Sequence, residues 1–173
     1  MMMFKIGTLE IATRAALEIE QTYEPMGGEG IFRTVNGSGL KQSTWNKTRI
    51  VSAGSGWLPA GLESLNVNAQ LTLSCIVPRA VPAVFATRQA TLPATRRTDT
   101  GHTPWGIAFL ADGSPVKTPA SLAGNVATLD PVAGAVAYQA LYLPQFTVLA
   151  FRPTDSGTRG DASYRWQFVC EEV

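Results

Sequence analysis

Apolar and polar residues alternate with a period of two along most of this chain, the spacing that sets one face of a strand on a core and the other in water. The run "VNAQLTLSCIV" shows it most clearly, with Leu71, Leu73, Cys75 and Val77 on one parity. Near the end of the chain Tyr164, Trp166, Phe168 and Cys170 repeat the pattern. These runs predict central strands that bury Leu71, Leu73, Cys75, Trp166, Phe168 and Val169. Shorter strands are expected at "IGTLEI", at "IFRTV", and through "IAFLADGSPVKTPASLAGNVATLD", where Asp112-Gly113 signals a hairpin. "AVAYQALYLPQFTVLAF" reads as a strand pair broken near Pro144.

Two segments need more argument. Leu17, Ile19 and Tyr23 alternate with Glu18, Glu20 and Thr22, which favours a half-buried strand, while Ala15, Ala16 and Ile19 also suit a short helix. Pro25 and Gly27-Gly28 are expected to end that segment either way. "LKQSTWNKTRIVSAG" is too polar for a core helix and lacks apolar residues at helical spacing. It alternates instead, with Trp45, Arg49 and Val51 on one parity and Leu40, Thr44, Thr48 and Ile50 on the other. Asn36-Gly37-Ser38-Gly39 and Gly54-Ser55-Gly56 bracket it as turns, and "WLPAGLESLN" beyond them reads as irregular, tightly turned chain. The prediction is a long hairpin arm over residues 36–56, wet on at least one side.

No long helix, no β-α-β alternation and no repeat is found. The fold class expected is all-β: a β-sandwich or partly open β-barrel, as one domain over residues 1–173. Residues 78–105 hold four prolines and a cluster of arginines without periodicity, and read as an extended loop excursion.

Composition changes the picture at two points. Charged residues make up only 16% of the chain, so much of the surface must be neutral, as suits a protein packed against copies or partners. The net charge of +1 gives no global pull toward nucleic acid or membrane, but its distribution is uneven. Residues 1–29 sum to −3, residues 30–97 to +7 and residues 98–173 to −3. A basic middle between acidic ends can pair within a molecule or between neighbours. "MMMFKIGTLE" is too short and polar for an export core, and no stretch approaches the ~18 apolar residues of a membrane span. Synthesis in a reducing cytoplasm is expected, with Cys75 and Cys170 as free, buried thiols.

Tests for chemistry return little. Gly39 is followed by Leu40, Lys41 and Gln42 with no helix after them, which does not make a phosphate loop, and Pro59 stands where "GSGWLPAG" would need a third glycine for dinucleotide binding. His102 is the only histidine and sits in a Thr- and Pro-rich loop, so it reads as a surface residue. No His, Cys, Asp or Glu cluster has ligand spacing, and nothing selects a carboxylate pair. Arg159-Gly160-Asp161 matches an adhesion tripeptide of a kind that arises by chance. Trp45 and Trp57 lie in the basic middle but are not interleaved with Lys or Arg along one strand, so no specific nucleic-acid partner is expected. No enzyme activity, cofactor or metal is expected.

The run Ile31–Gly61, "IFRTVNGSGLKQSTWNKTRIVSAGSGWLPAG", resembles small tail proteins of long-tailed bacteriophages. So does the C-terminal pattern "YLPQFTVLAF…ASYRWQFVCEEV". Together the blocks cover about half the chain, and residues 78–130 carry no such resemblance. It implies a structural subunit of the distal tail, the baseplate or the tube, made in the host cytoplasm and carried in the virion. Its partners would be copies of itself in a ring and adjacent tube, hub or fibre proteins. Lys41, Trp45, Lys47, Arg49 and Trp57 are the expected subunit-interface residues. Lys41, Lys47 and Arg49 lie on alternate residues and are expected to share a face that meets acids of a neighbour. The alternative is a carbohydrate-binding β-sandwich using Trp45, Trp57, Trp105 and Trp166 as a stacking platform.

Overall fold

The computed structural model describes residues 4–158 and 160–173. Arg159, and with it the complete Arg159-Gly160-Asp161 tripeptide, lies outside the described residues. Among the described residues fifteen strands follow one another: β1 (Phe4–Ile6), β2 (Leu9–Ile11), β3 (Glu18–Arg33), β4 (Gly39–Gly56), β5 (Leu71–Ser74), β6 (Arg79–Ala83), β7 (Gln89–Thr91), β8 (Trp105–Leu110), β9 (Pro115–Thr118), β10 (Ala120–Ala123), β11 (Val126–Leu129), β12 (Ala135–Tyr142), β13 (Gln145–Ala150), β14 (Thr154–Thr158) and β15 (Ser163–Glu172). Single 3-10 turns at Thr13–Ala15 and Leu62–Ser64 are the helical elements described. The fold is all-β with several sheets, none of them closed into a barrel. No helix among the described residues is long and apolar enough to cross a membrane.

The chain forms two compact units, one built mainly of Leu73–Phe146, the other of Ile6–Thr72 and Thr147–Val173. The boundary falls inside β1, β5 and β13. In the first unit, sheet β6-β12-β8-β9 and sheet β10-β11-β7 share a core of Ala90, Leu92, Ala108, Ala127, Leu129, Tyr138, Ala140 and Tyr142. Small residues on β8 and β12 allow close approach: a Cβ on Gly106 would lie 2.6 Å from the Thr118 methyl and 2.8 Å from Leu129. Asp112-Gly113 makes the β8–β9 hairpin as expected, with Gly113 at φ +83° and the Ser114 hydroxyl donating to Asp112.

The stretch 78–105 is less of an excursion than its prolines suggested. It contributes β6 and β7, and Ala90 and Leu92 enter the core. Pro82 is compatible with β6 because β6 is an edge strand, paired on one side only by β12. His102 is buried rather than on the surface, for the reason given below.

The second unit is built on antiparallel pairings in the order β13-β15-β4-β3, with β14 on the free end of β15. Even-numbered residues of β4 and β15 face its core: Ile50, Ser52, Trp166, Phe168 and Cys170 are buried, while Val169 points the other way and is half-buried. Gln21 on β3 donates to the buried Ser52 hydroxyl at 3.1 Å, which satisfies both groups. Cys75 and Cys170 are both buried thiols.

Two punctuation signals were misread. Gly54-Ser55-Gly56 is not a turn; it is the last stretch of β4, hydrogen-bonded to both β3 and β15. A Cβ on Gly54 would collide with the Trp166 indole, and one on Gly56 with the backbone at Arg14 and Ala15, so these glycines give close approach rather than a bend. Pro25 and Gly27-Gly28 do not end β3, which runs on to Arg33. As the sheet's edge strand, β3 tolerates a residue without an N–H, and its glycines make room for side chains of β4.

Candidate functional site: the solvent face of the second sheet and its arm

β3 and β4 pair far beyond the rest of their sheet. β15 accompanies β4 only from Gly56 to Arg49, whereas β3 pairs with β4 out to Arg33 and Gly39. Residues 27–46 are therefore a two-stranded ribbon closed by a turn at Thr34–Ser38, where Gly37 takes φ +80°. This is the arm. Its turn at Asn36-Gly37 is where the sequence placed it, but the arm spans residues 27–46 rather than 36–56, and its first strand is β3, not a separate short strand.

A bulge sets its faces. Gly27 pairs with Asn46 but Glu29 pairs with Ser43, so β4 carries one extra residue at Thr44-Trp45. A one-residue insertion exchanges the faces of every position beyond it. Lys47 and Arg49 oppose Met26 and Glu24, whereas Lys41 opposes Ile31. β3 is unbroken there, so Lys41 lies on the face opposite to Lys47 and Arg49, and the three cations do not share one side as expected. Each has an acceptor in its own chain. Lys41 pairs with Glu29 at 2.7 Å, Arg49 reaches Glu24 at 4.0 Å, and the Lys47 ammonium donates to the Val173 carbonyl. Both ion pairs are exposed and of low individual worth.

Trp45, at the bulge, stays on the ribbon's solvent face with Lys47 and Arg49. Its indole lies across Gly28, where a Cβ would stand 2.7 Å from Nε1; the Thr44 hydroxyl donates to the Gly28 carbonyl at 3.0 Å. The Phe32 ring lies over Gly30 in the same way, 3.3 Å from where a Cβ would be, and Leu40 is its cross-strand partner. Trp45, Phe32 and Leu40 make one apolar strip, exposed by 48%, 58% and 62%. The sequence offered a signal for it: Gly28, Gly30, Phe32 and Leu40 have matching parity once the turn and bulge are placed.

Nearer the sheet the same solvent face is banded. Glu18 and Glu20 on β3, Ala53 and Ser55 on β4, and Arg165 and Gln167 on β15 line an open groove of about 530 Å³. The small β4 residues form its floor, with acids on one wall and a guanidinium on the other. The next rows toward the arm are apolar: Val51 opposes Val169, Phe151 donates its N–H to the Val169 carbonyl, and Leu149 opposes Glu171. Leu149 and Phe151 are exposed. Trp57 is exposed just past β4, anchored by its N–H to the Arg14 carbonyl.

The four tryptophans make no common platform. Trp166 is buried, its Nε1–H donating to the Ala15 carbonyl at 2.8 Å. Trp45 and Trp57 stand twelve residues apart along β4 and its exit, roughly 40 Å at strand rise. Trp105 belongs to the first unit and carries the Lys117 ammonium 5.4 Å from its ring centroid.

Among the described residues the most strongly perturbed carboxylate, Asp99, lies in the first unit. Arg97 is fully buried and donates to the Cys75 carbonyl at 3.2 Å and to both oxygens of Asp99 at 2.9 and 2.6 Å. The Arg97 guanidinium holds the Asp99 carboxyl down to about 2, against partial burial, which pushes it up. His102 Nδ1 comes within 2.7 Å of Asp99, but off the line of a hydrogen bond, and neither ring nitrogen has a hydrogen-bond partner. The Arg97 backbone N–H also donates to the Leu143 carbonyl. This cluster is a pin holding the 95–104 loop to its unit, and it buries His102. Among the described residues no group of three His, Cys, Asp or Glu is placed to hold a metal ion. Comparison with known proteins finds no matching family model, no matching curated protein and no matching solved structure.

Proposed function

We propose that the chain is a structural subunit of a bacteriophage tail, of the distal tail, baseplate ring or tube, that assembles through the β3–β4 arm. The observation that carries this is the strip of Trp45, Phe32 and Leu40 on a two-stranded ribbon. An isolated two-stranded ribbon is marginally stable in water, and its three exposed apolar side chains, two of them laid over glycines, gain nothing there. Such an element is stabilised when a partner covers it. The likeness of Ile31–Gly61 to tail proteins supports the same reading, since that block contains most of the arm. The partners are further copies of the chain and neighbouring tube, hub or fibre proteins.

The test shortens the arm. Residues 29–43 are replaced by an Asn-Gly turn, and the chain is expressed with the reading frames that flank its own. The shortened chain is expected to keep the β-sheet circular dichroism of the wild type and to be missing from particles seen by electron microscopy. Its normal incorporation would remove the arm from the assembly reading.

A further inference from the structure

We propose that a pocket in the first unit binds a small organic monoanion, an aromatic or branched carboxylate whose apolar body fills the pocket and whose charge meets Lys117. The pocket is lined by residues of that unit alone, so the proposal is independent of the assembly reading.

The cavity holds about 600 Å³, the size of a small-ligand site. Its walls are largely apolar. Trp105 opens β8 and the buried Pro104 precedes it; Pro119 joins β9 to β10; Leu143 follows β12 and is fully buried. Such walls favour an apolar body by taking its surface out of water.

Three polar side chains join these walls, and two of them are available. Thr118 is buried and its hydroxyl donates to the Asp130 carbonyl at 3.0 Å, so it is already satisfied. The Thr103 hydroxyl and the Lys117 ammonium belong to exposed residues and make no hydrogen bond or ion pair among the described residues. Lys117 is the one charged residue among the described residues lining the pocket. Its ammonium sits over the Trp105 ring, 5.4 Å from the centroid, which holds it at the pocket. The register sets this contact: Lys117 on β9 opposes Ile107 on β8, so Trp105 is its diagonal neighbour on the same face.

The charge selects the class of ligand. A cation would meet Lys117 with no carboxylate to offset it. A phosphate dianion asks for several charged donors, and the pocket offers one ammonium and one hydroxyl. A carboxylate accepts from both and needs no more. The wall at Thr103 and Pro104 is already ordered, because they follow His102 in the loop that buried Arg97 pins through the Asp99 carboxylate and the Cys75 carbonyl. A ligand entering a pre-formed wall loses little affinity to ordering the protein.

The test uses full-length F32S/L40S protein, which removes the strip on the arm as a competing site for apolar dyes. Anilinonaphthalene sulfonate, an aromatic body with one negative charge, is titrated by fluorescence beside phenylnaphthylamine, a similar body without charge. Saturable binding of the sulfonate at one site is expected. Lys117→Met keeps the apolar stem and is expected to weaken the sulfonate by at least about tenfold and the neutral dye by less than about twofold. Lys117→Arg is expected to restore the sulfonate. Indole carboxylate and a branched aliphatic acid should displace it, whereas inorganic phosphate and tryptamine should not. Ala120→Phe fills the pocket from β10, and Thr103→Trp closes it from the exposed loop. Whichever of these keeps the wild-type circular dichroism should lose both dyes. Absence of saturable sulfonate binding, an unchanged affinity in Lys117→Met, or full binding by a folded pocket-filling variant would each overturn the proposal.

Discussion

Trp166 joins three structural roles in one side chain. It stacks on Phe168 with centroids 5.8 Å apart, fills the space left by Gly54, and donates to the Ala15 carbonyl. Trp166→Ala should therefore cost about 3–5 kcal/mol, measured as a shift of the urea midpoint. Gly54→Val should cost about 1–3 kcal/mol from the other side of the same contact, by overpacking. Asp99 gives the residue-scale pH dependence. Its carboxyl is lowered from 3.8 to about 2, so the stability it contributes is fully present above pH 4 and is lost as pH falls from about 4 to 2. Asp99→Asn should lower stability at pH 7 by about 1–3 kcal/mol, less than for an enclosed pair, because Asp99 keeps 42% of its side chain exposed while Arg97 keeps none. The gap between wild type and variant should close between pH 4 and 2. A gap independent of pH would mean that Arg97 is held by its backbone acceptor alone.

At the scale of elements, the arm is where function and sequence grammar meet. Gly28→Val should displace the Trp45 indole, because the new side chain would occupy its place. The sheet core would be untouched, so the far-ultraviolet spectrum should be unchanged while assembly weakens. The reverse result, lost folding with intact assembly, would place Trp45 in the core of the unit. Much of this element is readable from residues: the alternation in 40–53 and the Asn36-Gly37 tip specify a ribbon. Its root and faces are not. Gly54 and Gly56 look like a turn in one dimension, and only the neighbouring Trp166 and Arg14 show that they are contact glycines. Pro25 looks like a stop, and only the edge position of β3 makes it harmless. The bulge at Thr44-Trp45 has no compositional mark, yet it decides which side Lys41 takes. His102 was misjudged for a similar reason, since a polar loop sequence does not reveal that its neighbour Arg97 is buried between the Cys75 carbonyl and the Asp99 carboxylate.

For the whole molecule, the two cysteines report on the two units separately, Cys75 on residues 73–146 and Cys170 on the other. Denatured protein prepared without reductant should show two reactive thiols and native protein none; a count of zero in denaturant would mean a disulfide. Pulsed labelling through a urea gradient should then show whether Cys75 and Cys170 open together. The order of the chain has a further consequence, in time rather than in space. β4 ends at Gly56 and its partner β15 begins at Ser163, 107 residues later. At synthesis rates of about 5–20 residues per second, the long hairpin waits roughly 5–20 s outside the ribosome before the strand that anchors it exists. During that interval Trp45, Phe32 and Leu40 are exposed together with the unpaired inner edge of β4, on many nascent chains at once. The side chains suited to assembling finished subunits are thus a hazard during birth. Soluble yield should rise with slower expression or added nascent-chain chaperone, and F32S/L40S should depend on both far less.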